Sequence, residues 1–129
     1  MPDPRVLVVD DNAMSRELAH DVLEHAGFVV REAGTAAEAA EQLAGAPIQI
    51  ILLDWHLNAA TGLEVLKLIP DTAPRPRVLV LTADARPELR QAALDAGADG
   101  LMTKPYRAHA LQEAVSQLLR QTGEQSSSR

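Results

Sequence analysis

Arg5-Val6-Leu7-Val8-Val9-Asp10-Asp11-Asn12 is the stretch on which the fold turns. Four branched apolar residues follow one another and run straight into two acids. A continuous apolar run, rather than an alternating one, is what a strand buried on both faces of a sheet requires. The same grammar recurs at Ile48-Gln49-Ile50-Ile51-Leu52-Leu53-Asp54, which ends on a third acid, and at Val78-Leu79-Val80-Leu81-Thr82. In a parallel α/β sheet the ligand crevice opens at the carboxyl ends of the strands. Asp10, Asp11 and Asp54 are therefore predicted to gather there. Two unit charges ~4 Å apart repel by about 4 kcal/mol at an effective dielectric of 20. Such a cluster calls for a divalent cation that takes oxygen ligands, and the chemistry it suits is phosphoryl transfer.

The segments between these runs have helical spacing. Met14, Leu18, Val22 and Ala26 recur on one face, and Gly27 is placed to end that helix. Residues 28–33 read as a second strand. Thr35-Ala36-Ala37-Glu38 fits a capping box that opens an Ala-rich helix ending near Gly45. A short helix through Leu63, Leu66 and Ile69 follows the third strand, and the proline-rich stretch 70–76 is a connector. Pro87 suits the first turn of the next helix, residues 100–103 make a short fifth strand, and Leu111, Val115, Leu118 and Leu119 mark the last helix. Five strand–helix pairs predict a three-layer α/β fold with a parallel sheet. Residues 1–122 form the expected domain, and the polar stretch 123–129 is expected to be a disordered tail or the start of a linker.

Composition narrows the function classes. The 129 residues suit one domain, and with one Phe, one Tyr and one Trp the core must be aliphatic. A formal charge of −6 with no basic stripe argues against a nucleic-acid surface. The absence of cysteine excludes disulfides and thiolate chemistry and suits a reducing compartment. No apolar run approaches membrane-spanning length, so the expectation is a cytoplasmic protein without a membrane contact. The four histidines lack metal-ligand spacing; His20 and His25 are expected on the surface of the first helix.

Asp10-Asp11, Asp54, Thr82 and Lys104-Pro105 stand at the ends of four of the five strands in a set order. Together they resemble the receiver domain of two-component response regulators. Residues 8–12 (Val-Val-Asp-Asp-Asn), 81–83 (Leu-Thr-Ala) and 96–106 (Ala-Gly-Ala-Asp-Gly-Leu-Met-Thr-Lys-Pro-Tyr) stand close to the family pattern, and the likeness runs from Arg5 to about Gln121. It implies a flavodoxin-like (βα)5 fold with sheet order 2-1-3-4-5. It also implies that Asp54 is the phosphoacceptor nucleophile. Asp11, and Asp10 directly or through water, would hold Mg2+ together with Asp54 and the backbone carbonyl of His56. Lys104 would pair with Asp54 and then with a phosphoryl oxygen, while the Thr82 hydroxyl donates to another. His56 and Asp84, two residues past the acceptor and past Thr82, would flank the phosphoryl group. The Lys104–Pro105 bond would be cis. The implied donor is a histidine kinase or a histidine phosphotransfer protein, and the signal would pass to a downstream protein that the residues do not name. On this reading the domain assists its own phosphorylation and dephosphorylation but is a signalling module, not an enzyme.

Simpler readings stand beside these. Asp10, Asp11 or Asn12 could each cap the first helix, Thr82 could be an ordinary strand residue, and Lys104 a solvated lysine. Trp55 is expected to be partly buried beside the site. An aspartyl-phosphate hydrolase would want a second acid two residues after the nucleophile, where His56 stands. A flavodoxin would not place two acids where a cofactor phosphate binds, and a pseudo-receiver would not keep the full acidic set. Leu101 stands where the family has an aromatic, Asn58 where proline is common, Thr61 where aspartate is common, and Arg107 where the last helix usually has a polar cap. With no ring at Leu101, the expected output is movement of the loop after Thr82, with Leu101 buried throughout.

Overall fold

The apolar runs become adjacent strands because each is too hydrophobic to leave either face in water. The computed structural model describes residues 5–45, 47–55, 59–69, 75–84 and 86–127. Its elements follow in the order β1 (Arg5–Val9), α1 (Ala13–His25), β2 (Val29–Ala33), α2 (Ala36–Gly45), β3 (Ile50–Asp54), α3 (Ala59–Leu68), β4 (Arg77–Thr82), α4 (Pro87–Asp95), β5 (Gly100–Thr103) and α5 (Ala108–Ser127). All five strands pair in parallel in the order β2-β1-β3-β4-β5. The three-layer arrangement and strand order expected from the sequence are therefore present.

Burial explains which strands are central. Every residue of β3 is buried, as are the last four of β1 and the last five of β4. The edge strand β2 alternates exposed and covered residues and carries Arg31 and Glu32, and the other edge, β5, has no fully buried residue. Period-two alternation sends Leu7, Val9, Ile51, Leu53, Val78 and Val80 to one face, against Ala39 of α2, Val65 and Leu66 of α3 and Ala93 of α4. Val6, Val8, Ile50, Leu52, Leu79 and Leu81 face the other way, against Ala19 and Leu23 of α1 and Leu111, Val115 and Leu118 of α5. Each fully buried Val or Leu contributes about 1.5–3 kcal/mol, so the two aliphatic layers supply the main driving force.

Helix ends follow local chemistry. The Asn12 side chain accepts from the Ser15 N–H at 2.9 Å and caps α1, which leaves Asp10 and Asp11 free of that duty. At the far end, Gly27 takes φ 95, its N–H bonds to the Glu24 carbonyl, and the Phe28 N–H reaches back to Leu23. That pattern needs a residue at ease with positive φ. Thr35 accepts from the Glu38 N–H at 3.1 Å, while Glu38 reaches one residue beyond the ordinary capping box, to the Gly34 N–H at 2.6 Å.

Helix α5 continues to Ser127, so the backbone of residues 123–127 is helical. Extending a formed helix costs far less than nucleating one, and a single Gly123 costs only about 1 kcal/mol relative to Ala. Leu101 is half-buried and packs against the α2–α3–α4 side of the core, because β5 is an edge strand with one open flank.

Candidate functional site

Strand order alone makes β1 and β3 neighbours, with Val9 opposite Leu53, so the residues that follow them share one end of the sheet. Asp10 leaves β1 with its N–H bonded to the Ala33 carbonyl at 3.0 Å, still held by the β2 ladder. Asp54 is the last residue of β3 and lies opposite Leu81, whose carbonyl accepts the Trp55 N–H at 2.9 Å. Each of Asp10, Asp11 and Asp54 offers a carboxylate oxygen, and the three oxygens lie within 4.8 Å of one another. Asp10 and Asp54 are 3% and 4% exposed, whereas Asp11 is open to solvent.

Lys104 enters from the other side. It follows β5, and its N–H donates to the Thr82 carbonyl at 2.7 Å. The Lys104–Pro105 peptide is cis. The Lys104 Nζ lies 3.0 Å from Asp54 Oδ2, 3.2 Å from the Ser15 hydroxyl and 3.6 Å from Asp10 Oδ2. Thr82, fully buried at the end of β4, accepts the Asp84 N–H at 3.0 Å through its hydroxyl oxygen, which leaves the hydroxyl proton available to donate. The Asp84 carboxylate is engaged by the Arg86 guanidinium at 2.6 Å. His56 and Asn58 lie outside the described residues.

Burial alone would push the Asp10 carboxyl up. Hydrogen bonds from the Ser15 hydroxyl and the Asn12 N–H, another with Asp54, and the Lys104 charge together outweigh it and hold the group below the usual carboxylate range. The Asp10 carboxylate is thereby favoured in its ionised form, with the Lys104 Nζ 3.6 Å from it. An all-oxygen donor set of this charge fits a hard divalent cation.

Two contributors were not singled out in the sequence. Ser15 sits one turn into α1, beside Lys104. Arg16 donates from Nη1 to the Asp10 main-chain carbonyl at 2.8 Å and from Nε to Glu32 of β2 at 2.9 Å. Only the cap at Asn12, which starts a helix turn whose next residues face the same end of the sheet, could have pointed to them.

His20 is a correction. It was expected at the surface, but it packs half-buried between α1 and β2, with Nδ1 on Glu32 and Nε2 3.4 Å from Glu24. Burial lowers its pKa, but hydrogen bonds and charge from Glu32 and Glu24 more than reverse this and raise it above the ordinary 6.5. Burial raises the Glu32 carboxyl, and bonds from Arg16 and His20 bring it below 4.5. The His20 contribution is then complete below 6.5 and is lost as pH rises through the raised folded value. The Glu32 contribution is present above 4.5 and is lost as pH falls through its depressed folded value. Urea unfolding of wild type and His20→Gln should differ by about 1 kcal/mol near pH 5.5 and by much less at pH 9. A difference that stays constant across that range would refute the ionic pairing.

Beside Lys104 a groove of about 690 Å3 runs along α1, lined by Met14, Ser15, Leu18, Ala83, Pro105 and Tyr106. Met14 and Leu18 are both exposed at its wall.

A parallel sheet carrying a carboxylate cluster at its switch point, faced by a lysine and a buried threonine, defines a receiver-type module. The family model for the response regulator receiver domain matches residues 6–116, and the chain belongs to that family of two-component signalling domains. It is 37% identical over 118 residues to the phosphate regulon transcriptional regulatory protein PhoB of Klebsiella pneumoniae, covering 90% of this chain and 52% of that protein. It is 36% identical over 118 residues to the response regulator MprA of Mycobacterium ulcerans, covering 92% of this chain and 51% of that one. The chain thus spans about half the length of these curated relatives. Among solved structures, a CheY-like receiver domain protein from Methanospirillum hungatei superposes with a TM-score of 0.85 at 27% identity, covering 96% of this chain and 99% of the other. The chemotaxis regulator CheY4 of Vibrio cholerae gives 0.81 at 27% identity, covering 91% and 99%. Among the described residues no helix is long and apolar enough to cross a membrane.

Proposed function

We propose that this domain receives a phosphoryl group on Asp54 and signals by the change that follows. The observation that carries the reading is Asp54 itself, a nearly buried carboxylate at the end of the central strand, 3.0 Å from the Lys104 ammonium and clustered with two further acids. An Asp54 carboxylate oxygen attacks the phosphorus of a phosphohistidine, the P–N bond breaks and an acyl phosphate forms. Such transfers depend on positioning and on charge neutralisation rather than on further covalent chemistry. Lys104 is placed to pass from Asp54 to a phosphoryl oxygen. Thr82 keeps a hydroxyl proton to offer another, and its turn with Asp84 links that event to the start of α4.

Asp10, Asp11 and Asp54 would hold Mg2+, with the His56 carbonyl as a further ligand. Bound there, Mg2+ supplies positive charge to the acceptor and to the incoming phosphoryl oxygens. The donor is a histidine kinase or phosphotransfer protein, whose ATP-derived phosphoryl chemistry belongs to the cytoplasm. The receiver is a switch that acts on a downstream protein rather than an enzyme with a substrate of its own.

Trp55 adjoins the acceptor and packs against the core, so it is a built-in reporter. Titration with Mg2+ should change its emission in wild type and leave Asp11→Ala largely unchanged. Acetyl phosphate with Mg2+ should add one phosphoryl group by intact mass, and EDTA should prevent it. Full labelling in EDTA would overturn the proposal.

A further inference from the structure

We infer that Arg16 is a positioning residue for the acid cluster, holding the β1–α1 turn in the shape that cation binding needs. The inference rests on the proposed Mg2+ site. The guanidinium lies across three elements: it belongs to α1, donates to the Asp10 carbonyl at the end of β1, and is gripped by Glu32 of β2. The Asp10 main chain is thereby tied on both sides, its N–H to the Ala33 carbonyl and its carbonyl to Arg16. Its side chain then has a fixed origin, from which it accepts the Asn12 N–H at 2.9 Å.

The seat of the guanidinium is built by its neighbours. A Cβ at Gly34 would stand 3.2 Å from Arg16 Nη1 and 3.4 Å from Glu38 Oε1, so the missing side chain makes room where β2 hands over to α2. Glu32 is itself steadied by His20. A planar fork spreads its donors over separate nitrogens and so spans a carbonyl and a carboxylate that stand apart, whereas a lysine ammonium is a point charge that both partners would have to approach closely. Partners one step removed from a cation's ligands orient those ligands, and their loss commonly weakens metal binding about 10- to 100-fold.

The test is Mg2+ titration of the full chain, followed by Trp55 emission and by the Mg2+-dependent rise in Tm. Arg16→Met should weaken Mg2+ affinity about tenfold. Arg16→Lys should fall between Arg16→Met and wild type, and Glu32→Gln, which keeps the guanidinium but removes its charged anchor, should weaken affinity by about threefold. Amide exchange at Asp11 and Asn12 should quicken in the same order. Leu23→Ala, which opens the core beneath the same helix, should lower Tm while leaving Mg2+ affinity within about twofold. Wild-type affinity in Arg16→Met or in Glu32→Gln would overturn the inference, and so would an equal loss in Leu23→Ala. A wild type that shows no Mg2+ response in either signal would instead overturn the metal site on which it rests.

Discussion

Asp54→Asn, incubated with acetyl phosphate and Mg2+, is expected to gain no phosphoryl group under conditions that label the wild type fully. The amide matches the carboxylate in size, but its oxygen is a far poorer nucleophile, so the rate should fall by more than about 10^3-fold. The loss cannot be put down to unfolding. Removing one of three clustered negative charges relieves repulsion in the metal-free protein, so Tm should hold or rise. Intact mass together with a melting curve checks both halves. A phosphoryl group on the folded Asp54→Asn protein would mean that the acceptor is another residue.

Lys104→Met carries the second large effect. The ammonium reaches Asp54, Asp10 and Ser15 at once and stands beside the position an acyl phosphate would occupy. Removing one preorganised charge of this kind costs about 10^2–10^3 in rate. Labelling by acetyl phosphate should slow accordingly while Asp54 remains the site. Mg2+ affinity should hold or improve, because the ammonium competes with the cation for the same carboxylates. Labelling at the wild-type rate would reduce Lys104 to a solvated lysine that happens to lie near the cluster.

Much of this was legible along the chain because it is local. Continuous apolar runs marked β1, β3 and β4, and an acid directly after a run needed no knowledge of neighbours to be placed at a strand end. Glycine at positive φ after α1 and the cap at Asn12 are likewise decided within a few residues. His20 misled because its exposure depends on a neighbour. On its own helix it faces outward, and only the adjacent edge strand, through Glu32, covers and charges it.

The sequence by itself determined five buried or half-buried strands, the helices between them, and a set of acids, a threonine and a lysine waiting at their ends. Only the tertiary structure decided which of these meet. Lys104 and Asp54 are 50 residues apart and Lys104 and Ser15 are 89 apart, yet a single ammonium joins them. Their meeting depends on the order in which parallel strands are laid down, and hydrophobic period carries no record of that order. The Arg16 tie between Asp10 and Glu32 depends further on how α1 rolls against the sheet. Packing of Ala19 and Leu23 into the core sets that roll, so the positions of the polar partners are a consequence of the apolar ones.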